Sequence, residues 1–185
     1  MLLSDVHIRE ICPSIVHPYD ADRVQPASYD LSLARGFLVP FHSNQLVEAD
    51  GLDLRIHNPR DYMKEVDSPV WRLDPGHCVL GSTQQVITCP KDIAIRVEGK
   101  SSLARLFLLP HVAAGWIHPG FTGQVTLEIV NLGPWPIKLY EGMEIAQMNF
   151  TRMSTPVAVP YGNKALGSHY QGQMGPTSSL GKRQK

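Results

Sequence analysis

The chain has 185 residues with 17 basic and 17 acidic side chains, enough for one well-filled core and without the global charge that drives non-specific binding to nucleic acid or membrane. Its cysteines, Cys12, Cys78 and Cys89, are too widely spaced for a CxxC pair, and an odd number without a secretory leader argues against a disulfide framework. No apolar run approaches the roughly 18 residues of a membrane helix, and charge appears early in MLLSDVHIRE, so a soluble cytoplasmic protein with no membrane or nucleic-acid partner is expected.

Fifteen glycines and fifteen prolines, dispersed along the chain, cut it into short apolar runs, which favours an all-β barrel or sandwich. The opening LLSDVHIREIC predicts a short helix with Ser4 as N-cap and Val6, Ile8 and Ile11 on its buried face. Strands are predicted at SYDLSLA and GFLVPF. Residues 49–72, rich in Asp, Arg, Asn and Pro, then read as an irregular insertion without chemistry. CVLGSTQQVIT and IAIRVEG follow as strands, and SSLARLFLL reads as a second short helix with Ser101 or Ser102 at its N-terminus, where free N–H groups favour phosphate. QVTLEIVNL, IKLYEG and EIAQMNFTRM complete the predicted strands. In the first of these Val125, Leu127 and Ile129 alternate, which puts Glu128 on the opposite face. Residues 1–160 form the expected domain, and the polar, glycine-rich residues 161–185 read as a mobile lid or a disordered end.

Chemistry concentrates between Glu98 and Glu128, in EGKSSLARLFLLPHVAAGWIHPGFTGQVTLE. Lys100, Ser101, Ser102 and Arg105 offer two cations and two hydroxyls in six positions, the donors that phosphate oxygens accept from, and Glu128 supplies one acid. A nucleotide site is the leading reading. Taken singly these residues also fit blander roles: SSLAR as a helix cap followed by a solvated arginine, Glu128 as an exposed strand residue, Trp116 and Phe121 as core. Asp30 in SYDLSL reads as structural.

Five segments in the same order, VQPASYDLSL, VEGKSSLARL, AGWIHPGFTGQVTLEIVN, EGMEIAQMNF and HYQGQMGP, resemble the dCTP deaminase family of the dUTPase-like superfamily, and the likeness covers nearly the whole chain. The resemblance implies a distorted β-barrel or jelly roll with one or two short helices, assembled as a homotrimer with active sites shared between subunits and a C-terminal segment closing over the nucleotide. It implies zinc-independent deamination of dCTP to dUTP and ammonia. The sequence itself lacks the HxE and PCxxC ligands of zinc-dependent pyrimidine deaminases. No protein metal site is implied; Mg2+ enters bound to the triphosphate. Carried over by motif position, Glu128 is the general base, and Ser101 and Arg105 position water and stabilise charge near cytosine C4. Lys100, Ser102 and Gln147 hold phosphates, and Ala114 reads the pyrimidine through its backbone. Trp116 and Phe121 wall the sugar and base, His118 meets the sugar, and Tyr161, His169, Tyr170 and Gln173 belong to the lid side of the substrate site.

Several positions depart from the family pattern. The chain reads WIHPG where members read IDPG or IDAG, so His118 replaces an aspartate that, in dUTPases, activates water. A neutral imidazole accepts at one nitrogen only, which counts against dUTPase-type diphosphatase chemistry. His169 and Met174 stand where lid cations are common, Phe107 replaces the glycine of RLG, and Ala113 replaces a threonine. These changes keep three alternatives in view: a deaminase retuned to a modified or less phosphorylated cytidine nucleotide, a dUTPase-type diphosphatase, and a noncatalytic nucleotide-binding trimer.

Overall fold

A computed structural model of the protein describes residues 1–41, 51–53 and 57–180. Helix α1 (Asp5–Ile15) opens the fold with Ser4 at its N-cap, although the Ser4 hydroxyl lies 3.4 Å from His7 Nδ1 and caps no backbone N–H. Its buried residues are Ile8, Cys12 and Ile15, with Ile11 partly buried, a stripe set by the helical period. Ile8 and Ile11 lie on the face expected of them, whereas Val6 falls off that stripe and is 69% exposed.

The strands are β1 (Val16–His17), β2 (Val24–Gln25), β3 (Ser28–Ser32), β4 (Phe37–Pro40), β5 (Met63–Val66), β6 (Val70–Leu73), β7 (Cys78–Thr88), β8 (Ile93–Gly99), β9 (Leu108–Leu109), β10 (Trp116–Ile117), β11 (Thr122–Asn131), β12 (Ile137–Tyr140) and β13 (Glu144–Arg152). Helix α2 (Ser101–Ala104) lies between β8 and β9. One sheet runs β5-β4-β7-β11-β9 with β1 also on β7, a second runs β10-β8-β13-β3-β2, and β12 pairs with β6. One apolar core draws Phe37, Ile87, Leu127 and Ile129 from the first sheet and Tyr29, Leu31, Ile95 and Phe150 from the second. An isolated bridge between Leu33 and Thr83 ties the sheets, but they do not close into a continuous barrel. Among the described residues no helix is long and apolar enough to cross a membrane.

All seven expected strands are present, as β3, β4, β7, β8, β11, β12 and β13. The expected irregular insertion is not irregular throughout. Residues 49, 50 and 54–56 lie outside the described residues, whereas Pro59–Tyr62 form a 3-10 turn with Asn58 accepting from the Arg60 N–H, and β5 and β6 follow. Both strands exist because distant partners claim their backbone: β5 pairs with β4 from Phe37↔Val66 to Pro40↔Met63, and β6 with β12 from Leu73↔Ile137 to Val70↔Tyr140. Four-residue segments such as MKEV carry no alternation strong enough to reveal this.

The second helix begins at Ser101 as expected, behind Lys100 as N-cap, but it is a single turn that ends at Ala104. Phe107 stops it in the left-handed region at φ 61, with its N–H donating to Ala104 O and its carbonyl accepting from the Leu132 N–H at 2.9 Å. A non-glycine residue costs about 1–2 kcal/mol there. Phe107 is 56% exposed, so its ring recovers little of that by burial. Phe107→Gly is expected to stabilise the protein by about 1 kcal/mol in chemical denaturation, the relief of strain exceeding glycine's added freedom in the unfolded chain.

Cys12 and Cys89 are buried, and desolvation pushes both thiols up to about 12; Cys78 is exposed. An aromatic disulfide reagent at pH 8 should therefore titrate one thiol quickly in the native protein and three after unfolding. Because the folded values exceed the unfolded value of about 8.5, the associated stability is complete below that pH and is lost as pH climbs from about 8.5 toward 12.

Candidate active site

Strand β11 is the backbone of the site. Its pairing with β7 shifts register between Gln124 and Thr126, a bulge at Val125 whose N–H donates to the buried Thr83 hydroxyl at 2.9 Å. Beyond the bulge Leu127 and Ile129 point into the core, and Glu128, opposite Leu80, turns to the outer face of the sheet. There it is half-buried, with the Val112 N–H donating to its Oε2 across a long 3.4 Å contact.

A cavity of about 540 Å³ opens above this face, in the size range of small-molecule sites. Met63 of β5, Leu80 of β7, and Val125, Thr126 and Glu128 of β11 line its sheet side. Ala114, Trp116, Ile117, His118 and Phe121 close a second side. The C-terminal segment supplies the third through Tyr161, Tyr170, Gln173, Thr177 and Ser179. Glu128 is the sole carboxylate among these lining residues, so its charge acts there without a like-charged neighbour on the wall.

The C-terminal segment lies along β11 through named bonds. The Gly172 N–H donates to Thr122 O at 2.8 Å, the Gln124 N–H to Gln173 O at 3.0 Å, and Gln173 Nε2 to Gln124 O at 2.7 Å. The Gly175 N–H donates to Gln124 Oε1, and the Thr177 N–H to Thr126 Oγ1 at 3.1 Å. Gln173 Oε1 is buried and, among the described residues, has no hydrogen-bond partner, which leaves an acceptor at the cavity wall. The segment begins at the His118–Phe121 turn, where the Tyr161 N–H donates to Pro119 O at 2.8 Å. Gly120 makes this close approach possible: at φ +94, an added Cβ would sit 2.6 Å from Pro160 Cβ and 2.9 Å from Tyr161 N. His118 stacks on Tyr161 with ring centroids 6.1 Å apart and planes 10° apart, while Phe121 meets the Tyr161 ring edge-on at 5.7 Å.

The structure gathers Glu128, Ala114, Trp116, His118, Phe121, Tyr161, Tyr170 and Gln173 around one cavity. Trp116 is 55% exposed, with Arg96 stacked over its ring at 5.8 Å, so it is a rim residue and not core. Lys100, Ser101, Ser102, Arg105, Gln147 and His169 are not on that cavity's wall. Ser101, Ser102 and Arg105 are exposed on and just after α2. Lys100 is held by Asp30 at 2.6 Å and Glu144 at 2.7 Å, and Gln147 bonds Ser28 and Gly99. His169 packs edge-on against Tyr170, Met174 is 65% exposed, and Phe107 points to solvent away from the wall. Met63, Leu80, Thr126, Thr177 and Ser179 were not foreseen as site residues. Thr126 alone had a readable signal, standing two positions before Glu128 on the same strand face; Met63 sits in the stretch expected to carry no chemistry.

The architecture aligns over 80% of the chain with a solved structure described as 2′-deoxycytidine 5′-triphosphate deaminase from Agrobacterium tumefaciens, at a TM-score of 0.61 and 25% identity, covering 46% of that longer chain. A dCTP deaminase-like family model matches residues 2–153. The chain therefore belongs to the dCTP deaminase-like family. Among its relatives, a protein of Nocardioides sp. named dCTP deaminase, dUMP-forming, is 48% identical over 97% of this chain and 94% of its own length. One of Parafrankia sp. with the same name is 49% identical over 97% and 90% respectively.

The Gly120 contact has a direct test. Gly120→Ala places a methyl group against the Pro160–Tyr161 backbone in a conformation that already disfavours it, so residues 161–180 should lose their seat on β11. Limited proteolysis read by mass spectrometry is expected to cut that segment several-fold faster than in the unmodified protein.

Proposed function

We propose that this enzyme hydrolytically deaminates a deoxycytidine nucleotide, dCTP before others, and does so without zinc. The observation that carries the reading is Glu128, a lone half-buried carboxylate on the wall of a nucleotide-sized cavity. The family and its dCTP deaminase relatives support the substrate class. A carboxylate so placed can accept a proton from water as the water oxygen bonds to cytosine C4 and the C4–N3 double bond becomes single. Passing that proton to N3 gives a neutral tetrahedral adduct. In its collapse the proton of the new C4 hydroxyl passes by way of Glu128 to the exocyclic nitrogen, the C4–N bond breaks to release ammonia, and the C4 carbonyl of uracil forms. Gln173 Oε1, buried and unpartnered among the described residues, can accept from the exocyclic amino group or a sugar hydroxyl. Ala114 offers backbone groups to the pyrimidine, and Trp116, Phe121 and Tyr161 bound the cavity with apolar surface.

Ser101 and Arg105 take part, on this reading, from a neighbouring copy. Both are exposed on a one-turn helix away from the cavity of their own chain, and among the described residues Arg105 has no ion pair. A homotrimer with sites between subunits reconciles that exposure with their roles in placing water and stabilising charge at C4. Mg2+ enters with the triphosphate. A single carboxylate on the wall is too few oxygens for a protein-built octahedron, and among the described residues no cluster of three His, Cys, Asp or Glu side chains is present.

Relatives are named dUMP-forming, which favours a second reading in which pyrophosphate is also removed. Against it stands His118, whose ring is stacked on Tyr161 at the position where an anionic base is expected. Our first reading is therefore ammonia release with dUTP as product. Incubating the purified protein and Mg2+ with dCTP and with dUTP, and following ammonia and pyrophosphate together, separates the two: ammonia alone supports the first, and pyrophosphate from dUTP establishes the second. Glu128→Gln should lower ammonia release by about 10²–10⁴-fold while nucleotide affinity stays within about threefold. Unchanged turnover would remove Glu128 from the reaction.

A further inference from the structure

Lys100 stands at the junction of β8 and α2, immediately before Ser101. Its ammonium lies 2.6 Å from Asp30 Oδ2 and 2.7 Å from Glu144 Oε2. Asp30, on β3, is 3% exposed and also accepts from Gln25 Nε2 at 3.2 Å. In the sheet order β8-β13-β3, Gln147 of β13 pairs with Glu98 on one side and Asp30 on the other, so the Lys100–Asp30 contact reaches across an entire strand. Gln147 supplies a second strap in the same place, accepting from the Ser28 hydroxyl at 2.7 Å and donating to Gly99 O at 2.9 Å.

Desolvation works against the Lys100 charge, but hydrogen bonds and attraction from Asp30 and Glu144 outweigh it and raise its pKa. A carboxylate as buried as Asp30 is left uncompensated if its cation departs, which is strongly unfavourable. The ammonium is thus tied to β3 and β13 and not spare for phosphate. A one-turn helix has almost no stability of its own. The placement of Ser101 and Arg105 must come from what anchors the turn, and both straps grip it at Gly99 and Lys100.

We propose that Asp30 is a positioning residue for the deamination, acting through Lys100 and, beside the Gln147 strap, fixing the turn that carries Ser101 and Arg105. The inference rests on the deaminase reading above. It predicts a kcat effect without a binding effect, the opposite of a phosphate ligand.

The test is a double-mutant cycle on the full-length protein, with ammonia release normalised to folded protein and dCTP affinity measured by calorimetry. Asp30→Asn and Lys100→Met should each lower kcat about tenfold with Kd within about threefold, and the double variant should be no worse than the poorer single one within about twofold. Lys100→Arg, which keeps the charge, should recover much of the loss. Glu144 is 48% exposed, and Glu144→Gln, which removes only half of the anchor, should give a smaller fall of the same kind; it carries the test if Asp30→Asn does not fold. A Kd raised about tenfold by Lys100→Met at constant kcat would make Lys100 a phosphate ligand and overturn the proposal. Lower melting temperatures with unchanged kcat per folded molecule would reduce the strap to a structural role and overturn it too. No ammonia from the unmodified protein would defeat the deaminase reading and this inference together, whereas an active parent with unaffected variants defeats this inference alone.

Discussion

The pairing of β11 with β7 is the constraint on which the rest of the molecule depends. These two long strands form the centre of their sheet: β7 also takes β1 and β4, and β11 takes β9. The bulge at Val125 breaks the ladder, and a buried backbone N–H without an acceptor there would be costly. Thr83 resolves it, accepting from Val125 while donating its own hydroxyl hydrogen to Gln85 O at 2.8 Å. Past the bulge the register runs without further shift, and that fixes Glu128 on the outer face opposite Leu80. One threonine hydroxyl in the core thereby holds the register that aims the site's carboxylate.

The same strand organises the cover. An outer sheet face carrying Thr126, Glu128 and Leu80 is neither apolar enough to bury by itself nor polar enough to be ordinary surface. The C-terminal segment fits this mixed face by bonding backbone to backbone along Thr122–Gln124 and reaching Thr126 through a side-chain hydroxyl, leaving Glu128 beside the cavity. Its attachment is largely polar. It is therefore the element whose docking water competes with most directly.

Much of this was legible in the sequence, for identifiable reasons. The long strands β7, β8, β11 and β13 declared themselves because alternation over seven or more residues is a strong signal, and the Val125–Leu127–Ile129 pattern placed Glu128 on the correct face. β5 and β6 were hidden because four-residue strands owe their existence to partners far away in the chain. Of the cavity's residues, Ala114, Trp116, His118, Phe121 and Glu128 were legible from the motif AGWIHPGFTGQVTLE, whereas Met63, Leu80, Thr177 and Ser179 come from segments without such a signal. The state of Lys100 was not: a lysine beside two serines reads as a phosphate donor, and only the sheet order β8-β13-β3 reveals that a buried aspartate seventy positions earlier claims it. Asp30 itself was read as structural, and its burial fits that reading while giving it a charged partner at the site's edge.

His118 links the cavity wall to the segment that covers it. An aspartate at this turn could offer only an anionic acceptor toward the cavity. The imidazole instead lies nearly parallel to the Tyr161 ring, and Tyr161 in turn meets Phe121 edge-on and accepts at its hydroxyl from the Tyr170 N–H at 3.1 Å. The imidazole adds a ring contact to the chain of aromatics that joins the His118–Phe121 turn to the C-terminal segment. The turn thus lines the cavity and at the same time contacts the segment that covers it. His118 is, in this chain, part of the anchorage of its cover.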